Sequence, residues 1–572
     1  MIKKIKHSKG EMAMKKPLLS ELTLREKIGQ TALGRCDSPG IADTKTFPYG
    51  SLWANGDLAF GVDIDKINPN STKRDKWLQG LKEMNSNLKV PLIQAGDCAM
   101  TISAKEYGYV LNATTIGATG SEEFAYESGV LRGRMLRHAG TNWLWSPVCD
   151  IPSRHCSSIF GRTYTDDPDK LLAMNIATMK GLHDAGVAAT AKHFPGEDGM
   201  EYRDAHISET ANLLTKEEWL ATQGRQFQGM IDAGVDSVMT AHQCFPFIDN
   251  TKKNGRYVPA TLSKKILTDL LKGEMGFKGV VITDDVWMRS VSTYCDDDLS
   301  KVYVECIKAG NDMVLGVKDF YFDVIEDAVN RGEIPMERID DACQRVLDLK
   351  EKIGLFDDNY ELTFGDLDQI NADMADFCER VAKKAISLVC DKDKLFPLNP
   401  QKIKKVCIIY SGHDKEGQGK AYDQMPLMIK EFENRGAEVF LRRGLKNGYA
   451  SEEELREIAE TYDLIVYAGF AARWMPRGLG GFAGDEVITF QNALRYGSEK
   501  SVGIGLGSPY VYYDSYAAFP AYINTYNFQP ELIRAVVAAM YGEIGFEGGE
   551  PFKLLPEFES RRLEMFGKTE VE

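Results

Sequence analysis

Lys192, His193, Glu197, Asp198, Asp204 and His206 fall in one stretch, KHFPGEDGMEYRDAHISET, residues 192–210. Side chains of these types can hold a polar ligand, bind a metal ion or move a proton. Asp204 and His206 are two residues apart, so an extended backbone would put both on one face. A carboxylate that accepts from one imidazole nitrogen fixes the tautomer and raises the basicity of the ring. Unperturbed histidine titrates near ~6.5, which suits proton transfer in both directions near neutrality. The same residues would also serve in a solvated surface turn. A second candidate is GFKGVVITDDVWM, where Asp284 and Asp285 directly follow an apolar, β-branched run. A carboxylate placed there can act as nucleophile, metal ligand, hydrogen-bond acceptor or N-cap of the next helix. Neighbouring side chains on a strand alternate in direction, so at most one of the pair is expected to face a site.

Two other chemistries find little support. His193, Asp204, His206 and His242 could in principle converge on a metal, but their spacing matches no H-E-x-x-H or related ligand signature. No G-x-S-x-G elbow is present for a serine nucleophile. The glycine-rich PRGLGGFAG (476–484) is neither a P-loop nor a dinucleotide fingerprint and reads as a loop.

The candidate residues need a scaffold, and the sequence repeats one. A helix-like stretch ends at Gly, an apolar run follows, and a polar residue closes the run. The unit occurs at HDAGVAATAKH (183–193), IDAGVDSVMTAH (231–242), GFKGVVITDD (276–285) and IKAGNDMVLGV (307–317), with Gly186, Gly234, Gly279 and Gly310 as its glycines. Gly after a helix supplies a left-handed C-terminal position. The apolar runs, with VPLIQAGD (90–97) and WLWSPVCD (143–150), read as strands of a buried parallel sheet. Asp97, Asp150, Lys192 with His193, His242 and Asp284 lie at their C-terminal ends. In a (β/α) barrel those ends share one mouth, where active sites sit.

The predicted architecture is α/β: an N-terminal TIM-like (β/α)8 barrel followed by a smaller three-layer αβα sandwich domain. The expected boundaries are a flexible basic tail over 1–16, the barrel over 17–356, a helical linker over 357–400 and the sandwich over 401–572. The amphipathic run ERIDDACQRVLDLKEKIGLF (337–356) closes the barrel region. KVCIIYS (405–411), AEVFLRR (437–443), DLIVYAGF (463–470), SVGIGLGS (501–508) and AYINTY (521–526) are the predicted strands of the second domain.

Composition narrows the function classes. The chain has 572 residues and a net charge of −15, which argues against a nucleic-acid partner. No apolar run approaches the ~18 residues that span a bilayer, so no membrane association is expected. The basic N-terminus lacks an apolar segment and reads as a tail rather than a secretory signal. The 11 cysteines show no C-x-x-C spacing, which fits free thiols and a cytoplasmic location. A monomer or homodimer is expected.

The motifs, taken in order, resemble glycoside hydrolase family 3, most closely its β-N-acetylglucosaminidase branch. AKHFPG followed by Asp204-x-His206 resembles that branch's acid/base loop. VPATLSKKILTDLLKGEMGFKGVVITDD (258–285) resembles its nucleophile segment, RIDDACQRVLDLKEKIGLF its last barrel helix, and SVGIGLGSPY with AYINTYNFQPELIRAVVAAMYGEIGFEG (521–548) its second domain. The resemblance implies a retaining, exo-acting hydrolase of terminal β-linked N-acetylhexosamine. Asp284 would be the nucleophile and His206, oriented by Asp204, the acid/base. Asp97, Arg162 in GRTYTDDP, Lys192, His193, His242 and Met288 would bind the carbohydrate, and no metal or organic cofactor is implied. Glu197 and Asp198 read as solvated turn residues. The branch's Asp-x-Glu-Gly-Gly is replaced by GDCAMTIS (96–103), which keeps Asp97 and rebuilds the neighbouring subsite. Three alternatives stand beside the hydrolase: a phosphorylase, since a deprotonated imidazole repels phosphate less than a carboxylate does; a β-glucosidase; and a sugar-binding protein without catalysis.

Overall fold

The computed structural model describes residues 15–35, 40, 43–53, 73–97, 111–152, 159–197, 201, 203–358, 360–412, 421–443, 452–471, 482, 494–512 and 518–553. Most of the expected basic tail, all of GDCAMTIS beyond Asp97, Asp198 and nearly all of PRGLGGFAG lie outside the described residues.

Eight short strands form the first sheet: β1 Ala32–Arg35, β2 Ser51–Trp53, β3 Ile93–Asp97, β4 Trp143–Trp145, β5 Ala188–Phe194, β6 Ser237–Thr240, β7 Val280–Thr283 and β8 Val314–Val317. Neighbours run parallel in chain order, and β8 returns to pair with β1 through Ala32 and Val314. The remaining gap is bridged where Ile282 meets Met313 and Thr283 N donates to Met313 O at 3.1 Å. The sheet is therefore a barrel, and its strands are buried along nearly their whole length. Trp53 and Trp143 each pack against Trp145 inside it, tilted and edge-on respectively, with ring centroids 5.5 and 6.4 Å apart. Trp143 Nε1 donates to Thr190 and Ser237, so the one polar atom of that buried indole is satisfied.

The helix Met336–Lys352 closes one end. Its Val346 and Leu349 join the interior cluster, and Arg345 Nη1 and Lys352 Nζ reach Gly279 O and Gly234 O, just before β7 and β6. That end is the N-terminal one, so the opposite, C-terminal mouth is left for chemistry.

Three local expectations change. β1 and β2 were not foreseen. Gly186, Gly234 and Gly310 adopt positive φ after helices, but before β7 it is Gly276, φ 72°, that does so. Gly279 is needed for space instead: a Cβ there would stand 2.2 Å from Asp236 O.

One buried group in the closing helix carries a measurable cost. Lys350 is fully buried and donates to Gln30 Oε1 at 2.6 Å. Burial pushes its ammonium down from 10.5 to about 7. The unfolded chain holds that proton up to the ordinary value, so from about 10.5 down to about 7 stability falls as pH falls, and below that the cost is complete. Lys350→Met is expected to be more stable than the native chain at pH 6 by on the order of 2 kcal/mol, a gap that shrinks towards pH 10. Urea melts at the two pH values check this.

The second sheet contains β9 Ser387–Asp391, β10 Lys405–Gly412, β11 Glu438–Arg443, β12 Leu464–Phe470, β13 Ser501–Gly505 and β14 Ala521–Asn524, in the order β9-β14-β13-β12-β10-β11. All pairs are parallel except β9 with β14. β9 falls inside the stretch expected to be a helical linker. Val406, Ile408 and Tyr410 pack on helices Leu367–Ala385, Met425–Glu433 and Pro530–Met540. Cys407, Ile409 and Tyr467 pack on Leu455 and Ile458 of helix Glu452–Thr461 across the other face. Helices on both faces make the three layers. The first of these cores also takes in Ile116, Leu131 and Met174 from the barrel's outer helices, so barrel and sandwich share one apolar interface. Among the described residues no helix is long and apolar enough to cross a membrane.

Candidate active site

The strand ends deliver their polar residues to the mouth. Asp97 ends β3, and Lys192 Nζ from β5 donates to its Oδ1 at 2.9 Å. The Lys192 side chain is almost wholly buried, so its charge is set against a carboxylate rather than water. His193 follows. Its Nδ1 lies 2.6 Å from Asp150 Oδ2, and its backbone N–H also donates to Asp150. Asp150, the polar residue after the β4 run, is fully buried and also accepts from Glu197 N at 2.7 Å. It fixes the ring and leaves Nε2 facing the mouth, where Arg162 Nη2 donates to it at 3.3 Å.

Asp284 stands immediately after β7, with Oδ2 3.7 Å from His193 Nε2. Its Oδ1 accepts from Asp285 N at 2.7 Å. Burial works against the ionised carboxylate, but His193, His242, Lys192 and His206 outweigh it and hold the carboxyl below its ordinary value. Asp284 is therefore a carboxylate at neutral pH. Asp285 points elsewhere: its Oδ1 accepts from Trp287 N, and its Oδ2 lies 3.8 Å from Arg35. One of the adjacent pair faces the site and the other does not, although the strand has ended at Thr283 and the pair lies in the loop beyond it.

Asp204 and His206 do form a pair, by a different local geometry from the one expected. The segment is a turn, not extended: Ile207 N and Ser208 N both donate to Asp204 O. Within it Asp204 Oδ1 accepts from both His206 N, at 2.9 Å, and His206 Nδ1, at 2.7 Å. The turn docks beside the strand-end carboxylates, since Arg289 N and Ser290 N donate to the carbonyls of His206 and Ala205. Burial lowers the affinity of His206 for its proton, but the Asp204 hydrogen bond and the charges of Asp284, Asp204 and Glu197 raise it more, and the imidazole titrates above its ordinary value.

Arg162, His193, Asp204, His206, Asp284 and Met288 line one cleft. Glu197 lines it too, which corrects the reading of this residue as a solvated turn. Only 13% of its side chain is exposed. Burial, together with the charges of Asp150 and Asp284, pushes its carboxyl up to about 7 in spite of His193. His242 does not fit a sugar-binding role as expected. It is buried, its Nδ1 meets Thr261 Oγ1 at 2.7 Å and its Nε2 donates to Asp285 O at 3.0 Å. Both ring nitrogens are spent on holding the strand ends together. Gln243, next in the chain and not foreseen, lines the cleft, and its Oε1 has no partner among the described residues. Trp287, 46% exposed, was also passed over; its Nε1 donates to Gly316 O and Lys318 lies over its ring.

Among the described residues Asp150, His193 and Glu197 bring three potential metal-ligating atoms within 4.8 Å of one another. The histidine atom on that side, Nδ1, is already engaged by Asp150 at 2.6 Å, which accounts for the cluster without an ion. A larger hollow of about 530 Å³ lies on the barrel flank around Tyr294, Lys301 and Arg331. Its cations are matched by Asp298 and Glu333, and it holds no imidazole–carboxylate pair.

A parallel barrel whose mouth sets an ionised strand-end carboxylate against an Asp–His pair, in a cleft rich in hydrogen-bonding groups, is the framework of a glycoside-cleaving enzyme. Residues 60–349 match the glycosyl hydrolase family 3 N-terminal domain, and the chain belongs to that family of glycoside hydrolases. It is 27% identical over 484 residues to a beta-N-acetylglucosaminidase/beta-glucosidase of Cellulomonas fimi, across 82% of this chain and 84% of that one. It is 36% identical over 155 residues to a beta-hexosaminidase of Stenotrophomonas maltophilia (strain K279a), across 27% of this chain and 44% of that protein. Two solved structures share the two-domain fold. The beta-glucoside phosphorylase BglX superposes with a TM-score of 0.80 at 24% identity, covering 94% of this chain and 95% of its own. A family 3 beta-N-acetylglucosaminidase from Paenibacillus sp. str. FPU-7 superposes with a TM-score of 0.76 at 23% identity, covering 94% and 99%.

Proposed function

We propose that the protein is a retaining, exo-acting β-glycosidase acting on terminal β-linked N-acetylhexosamine. The observation that carries this reading is the placement of the Asp284 carboxylate and the His206–Asp204 pair in one cleft. Asp284 attacks the anomeric carbon while His206 Nε2 gives its proton to the leaving oxygen, and a glycosyl ester forms on Asp284. In the second step His206 takes a proton from water, which displaces the carboxylate and restores the starting configuration. Asp204 holds the Nδ1 proton throughout and stabilises the imidazolium. The Asp97–Lys192 pair, Arg162 and His193 hold the sugar hydroxyls, where charged hydrogen bonds are strongest, and Met288 packs against the ring.

A second reading is favoured by one observation: Arg203 and Arg162 both line the cleft next to a histidine acid/base. Two guanidinium groups could seat phosphate as the acceptor in the second step, giving a sugar 1-phosphate. A panel of aryl β-glycosides separates the readings. The expected outcome is preferred cleavage of the aryl N-acetylglucosaminide, first product of β-configuration by proton NMR, and a rate that phosphate does not raise. An α-configured first product removes the retaining mechanism. A sugar 1-phosphate formed in place of free sugar selects phosphorolysis.

A further inference from the structure

Arg162 reaches the sugar cleft from a barrel loop, yet that loop is held from outside by the second domain. On its inner side the loop is tied to the barrel. Gly161 N donates to Thr114 Oγ1 at 3.1 Å, and Ala113 N donates to Gly161 O at 3.2 Å. On its outer side it meets residues 549–553, which follow the last helix of the sandwich. Thr165 Oγ1 donates to Pro551 O at 2.6 Å, Asp166 N donates to the same carbonyl at 3.1 Å, and Lys553 N donates back to Asp166 Oδ2 at 2.8 Å. The side chain between these bonds is Phe552, 1% exposed. Its ring centroid lies 6.4 Å from that of Phe160, two residues before Arg162, and 5.9 Å from that of Tyr510 in the second domain. The other end of the segment is anchored on the sandwich, where Ser387 Oγ and Tyr526 OH both donate to Gly549 O.

We propose that residues 549–553 form a strap through which the second domain sets the position of Arg162, with Phe552 as the positioning residue, so that sugar binding in the barrel depends on the sandwich. The inference rests on the proposed role of Arg162 as a sugar ligand. A main-chain clamp on both sides of a buried aromatic fixes a loop far more tightly than a surface ion pair. The guanidinium must stay within hydrogen-bond reach of both His193 and the sugar, and a displacement of about 1 Å is enough to lose such a contact. Asp284, Asp204 and His206 are carried by other elements, so the strap bears on binding and not on proton transfer.

The test compares Phe552→Ala, Arg162→Ala and the double variant on an aryl β-N-acetylglucosaminide. Phe552→Ala is expected to raise KM roughly tenfold, with kcat changed by less than about threefold and an unchanged pH profile. Phe552→Leu, which keeps apolar volume, restores most of the affinity. The double variant has the KM of Arg162→Ala alone, because both changes remove one contact. If Phe552→Ala leaves KM unchanged while Arg162→Ala raises it, the strap is structural only and the proposal fails. Additive effects on KM overturn it as well. If Arg162→Ala leaves KM unchanged, it is the role of Arg162 that fails. Should Phe552→Ala not fold, Thr165→Val removes one bond to Pro551 and is expected to raise KM about twofold to threefold in the same direction; no change there overturns the strap.

Discussion

Asp284→Asn is expected to lower kcat on an aryl β-glycoside by on the order of 10⁴-fold or more, the range seen when a nucleophile is removed. The change keeps the side chain's shape and its hydrogen bond from Asp285 N, so loss of activity with an intact far-UV spectrum would report chemistry rather than folding. The carboxylate sits among His193, His242, Lys192 and His206, which hold it ionised; an amide there is neutral and cannot form the glycosyl ester. Asp285→Asn is the matched control. Its carboxylate meets Trp287 N and Arg35 rather than the cleft, and its loss should cost no more than about tenfold. Added azide gives a further readout, because Asp284→Gly leaves room for a small anion on the face of the sugar that the carboxylate would attack. The product then is a glycosyl azide of inverted configuration. Activity retained in Asp284→Asn above about a hundredth of native would transfer the nucleophile's role to another carboxylate, and Glu197 would be the first to examine.

The strand ends were legible because they combine two signals, a β-branched run and a polar residue closing it. β3, β5, β6 and β7 carry both, whereas Trp143–Trp145 has no β-branched residue and Val314–Val317 closes without a polar one. β1 and β2 are weaker: Ala32–Arg35 has a polar end but no β-branched residue, Ser51–Trp53 has neither signal, and both get their strand character from neighbours that already form a sheet. β9 was hidden for a related reason. Ser387–Asp391 follows helix Leu367–Ala385 without a Gly or Pro between them, and its conformation is fixed by antiparallel pairing with β14, whose residues are 130 or more positions away. In the site, the Asp204–His206 pairing could be anticipated from spacing because a carboxylate two residues before a histidine can reach its ring in a turn as well as in a strand. Glu197 could not be read correctly. Gly196, Glu197 and Asp198 look like a solvated turn, and the buried Asp150 that charges its surroundings is 47 residues away in sequence. His242 misled in the other direction: a polar residue at a strand end faces the mouth by default, but Thr261 and the Asp285 carbonyl occupy both its nitrogens.

His206→Ala should separate substrates by leaving group. An aryl glycoside with a strongly acidic phenol departs without a proton, so glycosyl transfer to Asp284 is expected to slow by less than about tenfold. A disaccharide or methyl glycoside needs the proton, and there the loss should reach roughly 10²–10⁴-fold, the span of general acid catalysis. Equal losses on both substrates would remove His206 from that role. The pH profile supplies an independent check. His206 must be protonated to act as the acid, and its affinity for the proton is raised, chiefly through Asp204 once burial has been offset. The alkaline limb of kcat/KM should therefore lie above the ordinary histidine value. Asp204→Asn weakens the hydrogen bond and removes the charge, so that limb should move to lower pH and kcat should fall with it. Asp284 is held below its ordinary value and needs to be ionised, so the acid limb should lie below the usual carboxylate range and stay there in Asp204→Asn. Glu197, pushed up to about 7, titrates inside the same window. A limb that moves in Glu197→Gln and not in Asp204→Asn would assign the acid to Glu197, turning the His206–Asp204 pair into a binding element.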